Sequence, residues 1–297
     1  MMANYVRVEE NTLISLDRKL PTTGKVLVKV GEIVEPETLI AEGVVENPDI
    51  HEVKIFAKLG VEPDTARNYM IKQEGDDVKK DEAIATYRSF FSRSTRVARS
   101  PIGGKIEAFS KYTGRALIRG HPLEIKVNAF IPGEIVEVFP KEGARVETMG
   151  DFFEGMFGVG GESWGKITLP VNSNESPLTS DEINEAMKGR IIVGGSVVTL
   201  NAIRKAVKVG AKGLIVGGLD QKDLTEFLGY EIGLGVTGNE DIGQSIIITE
   251  GFGINPMNPI MFELLKKSRD NLACINGSTQ IRSRMQRPEI IIPKYSS

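Results

Sequence analysis

Over residues 1–170, short apolar runs alternate with turn residues. GKVLVKVGE (Gly24–Glu32), GGKIEAFSKYTG (Gly103–Gly114) and PGEIVEVFPKEG (Pro132–Gly143) place Val, Ile or Phe at every second position. That period predicts half-buried strands. One interruption, Ile50–Met70, spaces Ile50, Val53 and Ala57 as a helix would, with Gly60 as its stop. From Glu175 the pattern changes. Ser176–Met187 has a capping-like start and predicts a helix. Ile191–Ser196 reads as a strand, and Thr199–Gly210 as a helix with Leu200, Ile203 and Val207 on one stripe. Gly213–Gly218 (strand) and Gln221–Gly229 (helix) follow. Ile232–Gly238 and Gln244–Gly251 read as strands, Asn258–Asn271 as a helix and Ala273–Gly277 as a last strand. Strands alternating with helices predict a mostly parallel sheet. The polar stretch Asn172–Pro177 marks the expected boundary, giving a β-rich domain at 1–172 and an α/β domain at 173–297. The fold class expected is therefore a multidomain α+β chain.

A phrase recurs. GEIVEPETLIA (Gly31–Ala41) returns as GDDVKKDEAIA (Gly75–Ala85), and more loosely as GARVETMG (Gly143–Gly150). In each full copy a tight glycine turn is followed by an inward Val and a second short strand, so Val34 and Val78 are expected at equivalent buried positions. Leu27–Gly43 and Met70–Tyr87 resemble the two hammerhead corners of the barrel-sandwich hybrid superfamily. Ser100–Gly114 resembles its Pro-x-x-Gly-x-Ile opening strand, and Ile131–Gly150 a further corner. The resemblance covers roughly residues 20–150. It implies an N-terminal barrel-sandwich hybrid with a helical insertion. The superfamily includes biotinyl and lipoyl carriers as well as non-carrier domains. The whole chain also resembles bacterial and archaeal proteins that join such a domain to an α/β domain, which implies no activity. A carrier of the biotin type presents its lysine in a Met-Lys-Met hairpin, and this chain has no such triplet. Lys54 and Lys58 fall in the helical insertion and Lys105 at a strand start. The expectation is a rigid scaffold with no covalent cofactor.

Composition narrows the classes. A chain of 297 residues with 40% hydrophobic and 26% charged residues suits a soluble globular protein. The net charge of −3 supplies no basic field for nucleic acid or an anionic membrane. One cysteine, Cys274, excludes an internal disulfide, and with two histidines, His51 and His121, a dedicated zinc site is not expected. No signal-peptide pattern or bilayer-length apolar run is evident, so the expected place is the cytoplasm.

Candidate chemistry concentrates in the C-terminal half. Successive predicted strands end in glycine: Gly194 and Gly195 with Ser196, then Gly217 and Gly218, then Gly251 and Gly253, then Gly277 with Ser278. Parallel strands would gather these at one edge, where open α/β sheets bind ligands. Glycines there permit close backbone approach, and a helix capped by Thr199 favours an anion. Asp220 and Glu250 follow the glycines as polar or acid/base groups, and Arg282 and Arg284 alternate as a potential phosphate or carboxylate clamp. The plainer reading is that tight turns simply need glycine. Gly155–Gly165 holds Phe157 and the only tryptophan, Trp164, and reads either as a closing loop or as a bulged strand and interdomain connector with Trp164 buried at the domain contact. Tyr87–Arg99 carries Arg88, Arg93, Arg96 and Arg99 with Tyr87, Phe90 and Phe91 and no acid. That mixture can hold single-stranded nucleic acid. The plainer reading is an exposed loop whose arginines pair with acidic surface. Cys274 is expected as a buried structural thiol. Two functions remain: a non-catalytic scaffold that forms homo-oligomers or docks on a protein partner, or an enzyme or sensor holding a small anionic ligand at the glycine edge.

Overall fold

The computed structural model describes residues 7–88, 94–230, 242–279 and 287–294. The chain forms two compact units, one of residues 1–19, 25–41 and 127–297, the other of 20–24 and 42–126. Strands on both sides of residue 172 therefore share a sheet, so these units do not follow a cut between 172 and 173.

The larger unit is built on an eleven-stranded mixed sheet. From one edge its order is Phe157–Val159, Ser245–Phe252, Gly213–Leu219, Arg190–Val193, Glu162–Thr168, Leu272–Asn276, Glu289–Pro293, Gly143–Glu154, Gly133–Phe139 and Ile33–Val34. Val8–Lys19 also pairs with Gly143–Glu154. Parallel pairing is confined to the four strands Glu162–Thr168, Arg190–Val193, Gly213–Leu219 and Ser245–Phe252. Crossover helices make that run parallel. Leu200–Val209 starts at Thr199, whose Oγ1 accepts the Ala202 N–H at 3.3 Å, and ends at Gly210 with φ +83°. Its buried face is Ala202, Ile203, Ala206 and Val209, while Leu200 and Val207 are half-buried, so the stripe sits slightly round from the one expected. Pro259–Lys267 carries the chain from Ser245–Phe252 back to Leu272–Asn276, which enters antiparallel. Ile232–Gly238 lies outside the described residues.

Two helical expectations change. Ser176–Met187 forms two 3-10 turns, Ser180–Glu182 and Glu185–Met187. The capping box of Thr179 and Glu182 is present, but Asn184 accepts the Ala186 N–H at 3.0 Å and starts a second turn. A local side-chain cap thus competes with helix propagation. Ile50–Lys54 is a strand, paired antiparallel with Arg115–Gly120, and the α-helix is confined to Ile55–Leu59, closed by Gly60 at φ +65°, with a separate 3-10 turn at Ala66–Tyr69. Cross-strand pairing of β-branched Ile50 and Val53 outweighs their helical spacing. Among the described residues no helix is long and apolar enough to cross a membrane.

The repeated phrase builds the same corner in each unit. Gly31 donates to the Ile135 carbonyl at 2.8 Å and Ile135 returns a bond to Glu32 at 2.9 Å; Gly75 donates to Ile106 at 2.8 Å and Ile106 to Asp76 at 3.0 Å. Leu27 donates to Ile40 at 2.8 Å, Ile71 to Ile84 at 2.9 Å. Val34 (1% exposed) stands opposite Gly133, and Val78 (2%) opposite Gly104. At both glycines a Cβ would run into a neighbouring carbonyl, of Glu147 and of Arg119 respectively. The looser third copy makes no corner, because Gly143–Gly150 lies inside the long strand Gly143–Glu154.

Truncating Val34 or Val78 to Ala is expected to destabilise the protein by about 1–3 kcal/mol, from lost burial plus the cavity left behind. Urea unfolding checks this. A large loss at one valine and none at the other removes the equivalence of the corners.

Candidate functional site

The carboxyl edge of the parallel strands gathers most of the residues singled out above. Gly194, Gly195 and Ser196 leave Arg190–Val193, Gly217 and Gly218 close Gly213–Leu219, and Gly218 stands opposite Gly251 in the neighbouring strand. The Gly217 N–H bonds the Gly195 carbonyl at 2.9 Å. Gly277 is not part of this edge. Leu272–Asn276 runs antiparallel to Glu162–Thr168, so its end falls at the opposite edge. There the Gly277 N–H and Ser245 Oγ share the Gly161 carbonyl at 2.8 and 2.9 Å. Arg282 and Arg284 lie outside the described residues.

What covers the glycines is the protein's own backbone. A Cβ on Gly195 would collide with the carbonyls of Ser173 and Ser176, one on Gly217 with that of Asn255, and one on Gly218 with that of Gly253. The covering segments are tied down and to each other. Ser196 donates its N–H to Ser176 at 3.0 Å and its Oγ to Glu175 at 2.7 Å, and Asn255 donates to Ser196 at 3.2 Å. Met257 N–H bonds Asn174 at 3.2 Å, and the Asn174 amide returns a bond to Met257 at 2.8 Å. Asp220 accepts the Lys222 N–H at 2.7 Å as the cap of helix Gln221–Leu228. Glu250 accepts the Asn258 N–H at 2.9 Å and the Thr249 hydroxyl at 3.2 Å. Both carboxylates satisfy donors at helix starts that would otherwise be orphaned.

The open space at this edge lies further out. A groove of about 720 Å³ is lined by Asp220, Lys222, Thr225, Glu226, Phe252 and Gly253. The clasping segments 173–176 and 253–257 were missed from sequence. Their Ser, Asn, Gly and Pro composition marks turns but not what the turns cover.

The other candidates take structural places. Phe157–Val159 is a fully buried edge strand, Gly160 and Gly161 turn the chain at φ +95° and +63°, and Trp164 is half-buried in Glu162–Thr168 beside Cys274. The strand part of the plainer reading therefore stands, while both strands belong to one sheet and one unit, so the segment is neither a closing loop nor an interdomain connector. Arg96 donates to the Leu59 carbonyl at 3.1 Å and Arg99 to the Asp81 carbonyl at 2.7 Å, so both arginines bond main-chain oxygens rather than acidic side chains. Tyr87 packs edge-on against Tyr69 with ring centroids 4.9 Å apart. Phe90, Phe91 and Arg93 lie outside the described residues. Lys54 ends a strand, Lys58 sits in the last turn of Ile55–Leu59, and Lys105 lies in Gly104–Ser110. Among the described residues no group of three or more His, Cys, Asp or Glu is placed to hold a metal ion. Compared with known proteins, the chain matches no family model, no curated protein and no solved structure.

Among the described residues, two groups have proton affinities displaced chiefly by burial. Burial pushes the Cys274 thiol well up, with Glu162, Glu35 and Glu37 adding to it. Burial also raises Glu289, reinforced by Glu154 and Glu162 and opposed by Arg7 and Arg18. Arg18 is itself held by a bidentate pair to Glu162 at 2.7 Å and by the Asn128 carbonyl at 2.8 Å.

Three outcomes follow from these positions. Gly195→Ala and Gly218→Ala are expected to lower stability by at least about 1–3 kcal/mol, because backbone rather than a flexible side chain must move. Thermal unfolding checks it, and unchanged melting temperatures would mean the edge is open. Cys274 is expected to resist a thiol reagent at mildly alkaline pH in the folded protein and to react on unfolding, since the thiolate is the reactive form. For Glu289 the folded pKa lies above the unfolded one, so the native state holds the proton more tightly. Stability is then lost as pH rises from the unfolded carboxylate pKa through the raised folded value. Glu289→Gln should flatten that part of the stability curve and raise stability above it; denaturant titrations across pH read the difference.

Proposed function

We propose that the chain is a non-catalytic cytoplasmic scaffold or accessory protein that associates with itself or docks on a partner protein. The observation that carries this reading is the filled carboxyl edge. Where an open α/β sheet would receive a ligand, segments 173–176 and 253–257 pack backbone against Gly195, Gly217 and Gly218, Asp220 caps one helix start and Glu250 holds the N–H of Asn258, the cap of another. The glycines thus serve close packing, as the plainer sequence reading has it. We also propose that the two corners derive from a barrel-sandwich hybrid arrangement used as a rigid frame. Their matching hydrogen bonds and the buried Val34 and Val78 support it.

One observation favours a second reading, a small anionic ligand. The groove at Asp220 and Phe252 opens beside the first turn of helix Gln221–Leu228, with Lys222 on its wall. Asp220 and Glu226 on the same wall weigh against an anion.

Native mass spectrometry of the purified protein, with light scattering on the same sample, separates the two readings. The scaffold reading expects a mass of two or more chains, or a co-purifying protein, and no retained small molecule. A single chain carrying a small anion, released by Lys222→Glu, overturns it in favour of the groove.

A further inference from the structure

The duplicated corner contains its own control. The two copies share a backbone, so a residue in one can be judged against its structural twin in the other. The shared hydrogen bonds fix the alignment: Gly31 with Gly75, Val34 with Val78, Ile135 with Ile106. At buried positions the twins agree, with Ile40 and Ala41 matching Ile84 and Ala85, all four fully buried. At exposed positions they diverge, and three of the differences fall on one corner's tip. Val30, Ile33 and Val136 of the first corner are 60%, 51% and 36% exposed. Their twins are Glu74, Asp77 and Glu107, all exposed and all acidic. The fold therefore does not require an aliphatic side chain at these places. Leu27 and its twin Ile71 are both exposed, so that position distinguishes nothing.

Val30, Ile33 and Val136 belong to one surface. Gly31, next to Val30 in the chain, bonds Ile135, next to Val136, and Ile33 stands opposite Glu134, two residues from Val136 on the same strand. Ile33–Val34 ends the strand order, so its outer side faces no further strand among the described residues. The flanks carry opposite charge. Exposed Lys25 and Lys29 precede the apolar tip, and exposed Glu35 and Glu37 follow it.

We propose that this corner docks on the same corner of a second copy of the chain. A two-fold contact brings identical patches together with their flanks reversed. Val30, Ile33 and Val136 then bury against their counterparts, Lys25 and Lys29 face the other copy's Glu35 and Glu37, and the free strand edge lies at the junction. The inference rests on the self-association reading above and names the surface that performs it.

The test substitutes the twin's residues. Val30→Glu with Ile33→Asp installs the side chains that the second corner already carries, so the corner is expected to fold normally. Sedimentation equilibrium should show a wild-type dimer and a dissociation constant raised about 100-fold or more in this variant, as when charge is forced into an interface. Val136→Glu, alone, serves as an independent variant should the double substitution lower the melting temperature. Lys25→Glu with Lys29→Glu should weaken the dimer, and adding Glu35→Lys with Glu37→Lys should restore it. A wild-type chain that is monomeric at every concentration overturns the proposal. So does a monomer that retains a different protein only while Val30 and Ile33 are intact, which gives the surface another occupant and leaves the docking reading standing. An assembly indifferent to all three substitutions overturns this surface but not self-association.

Discussion

Main-chain groups meet in this protein at places where a side chain would keep them apart. Gly104 and Gly133 let a strand start lie against the carbonyls of Arg119 and Glu147, and Gly195, Gly217 and Gly218 let two covering segments lie against the ends of parallel strands. Backbone donors and acceptors removed from water need partners, and here the partners come from other backbone segments. The corners, the sheet and the filled edge all depend on that close approach.

The same constraint redirects the function. Glycines at strand ends provide either a cradle for a ligand or room for the protein's own chain. In this case the Ser173–Ser176 and Gly253–Met257 segments take the space, and their mutual hydrogen bonds hold them there. Polar groups that look chemical in sequence are consumed by the same architecture: Asp220 and Glu250 by helix starts, Arg96 and Arg99 by carbonyls. Among the exposed aliphatic residues, those at the tip of the first corner stand where the second corner carries acidic ones.

The legible part of the sequence was the local part. Alternation found most strands, and glycine with threonine found the ends of Leu200–Val209, because caps and periodicity act within a few residues. The duplicated phrase located Val34 and Val78, since a tight corner imposes its own residue pattern. Local signals failed where a distant strand competed. Ile50 and Val53 carry a helical spacing, yet pairing with Arg115–Gly120 makes them a strand. The helix expected over Ser176–Met187 broke into two turns at Asn184, a side-chain cap that the spacing alone did not weigh.

The sequence by itself determined a strand-rich frame with a repeated corner, an α/β run with glycine at its strand ends, and a single buried thiol. These follow from period, turn chemistry and composition, which each stretch carries within itself. Tertiary structure alone decided strand direction, and with it that Gly277 leaves the edge shared by Gly195, Gly218 and Gly251. It also decided that the edge is filled and that the two corners belong to different compact units. Direction and occupancy depend on which remote backbone arrives at a given carbonyl, and no single stretch of the chain encodes the other half of that contact.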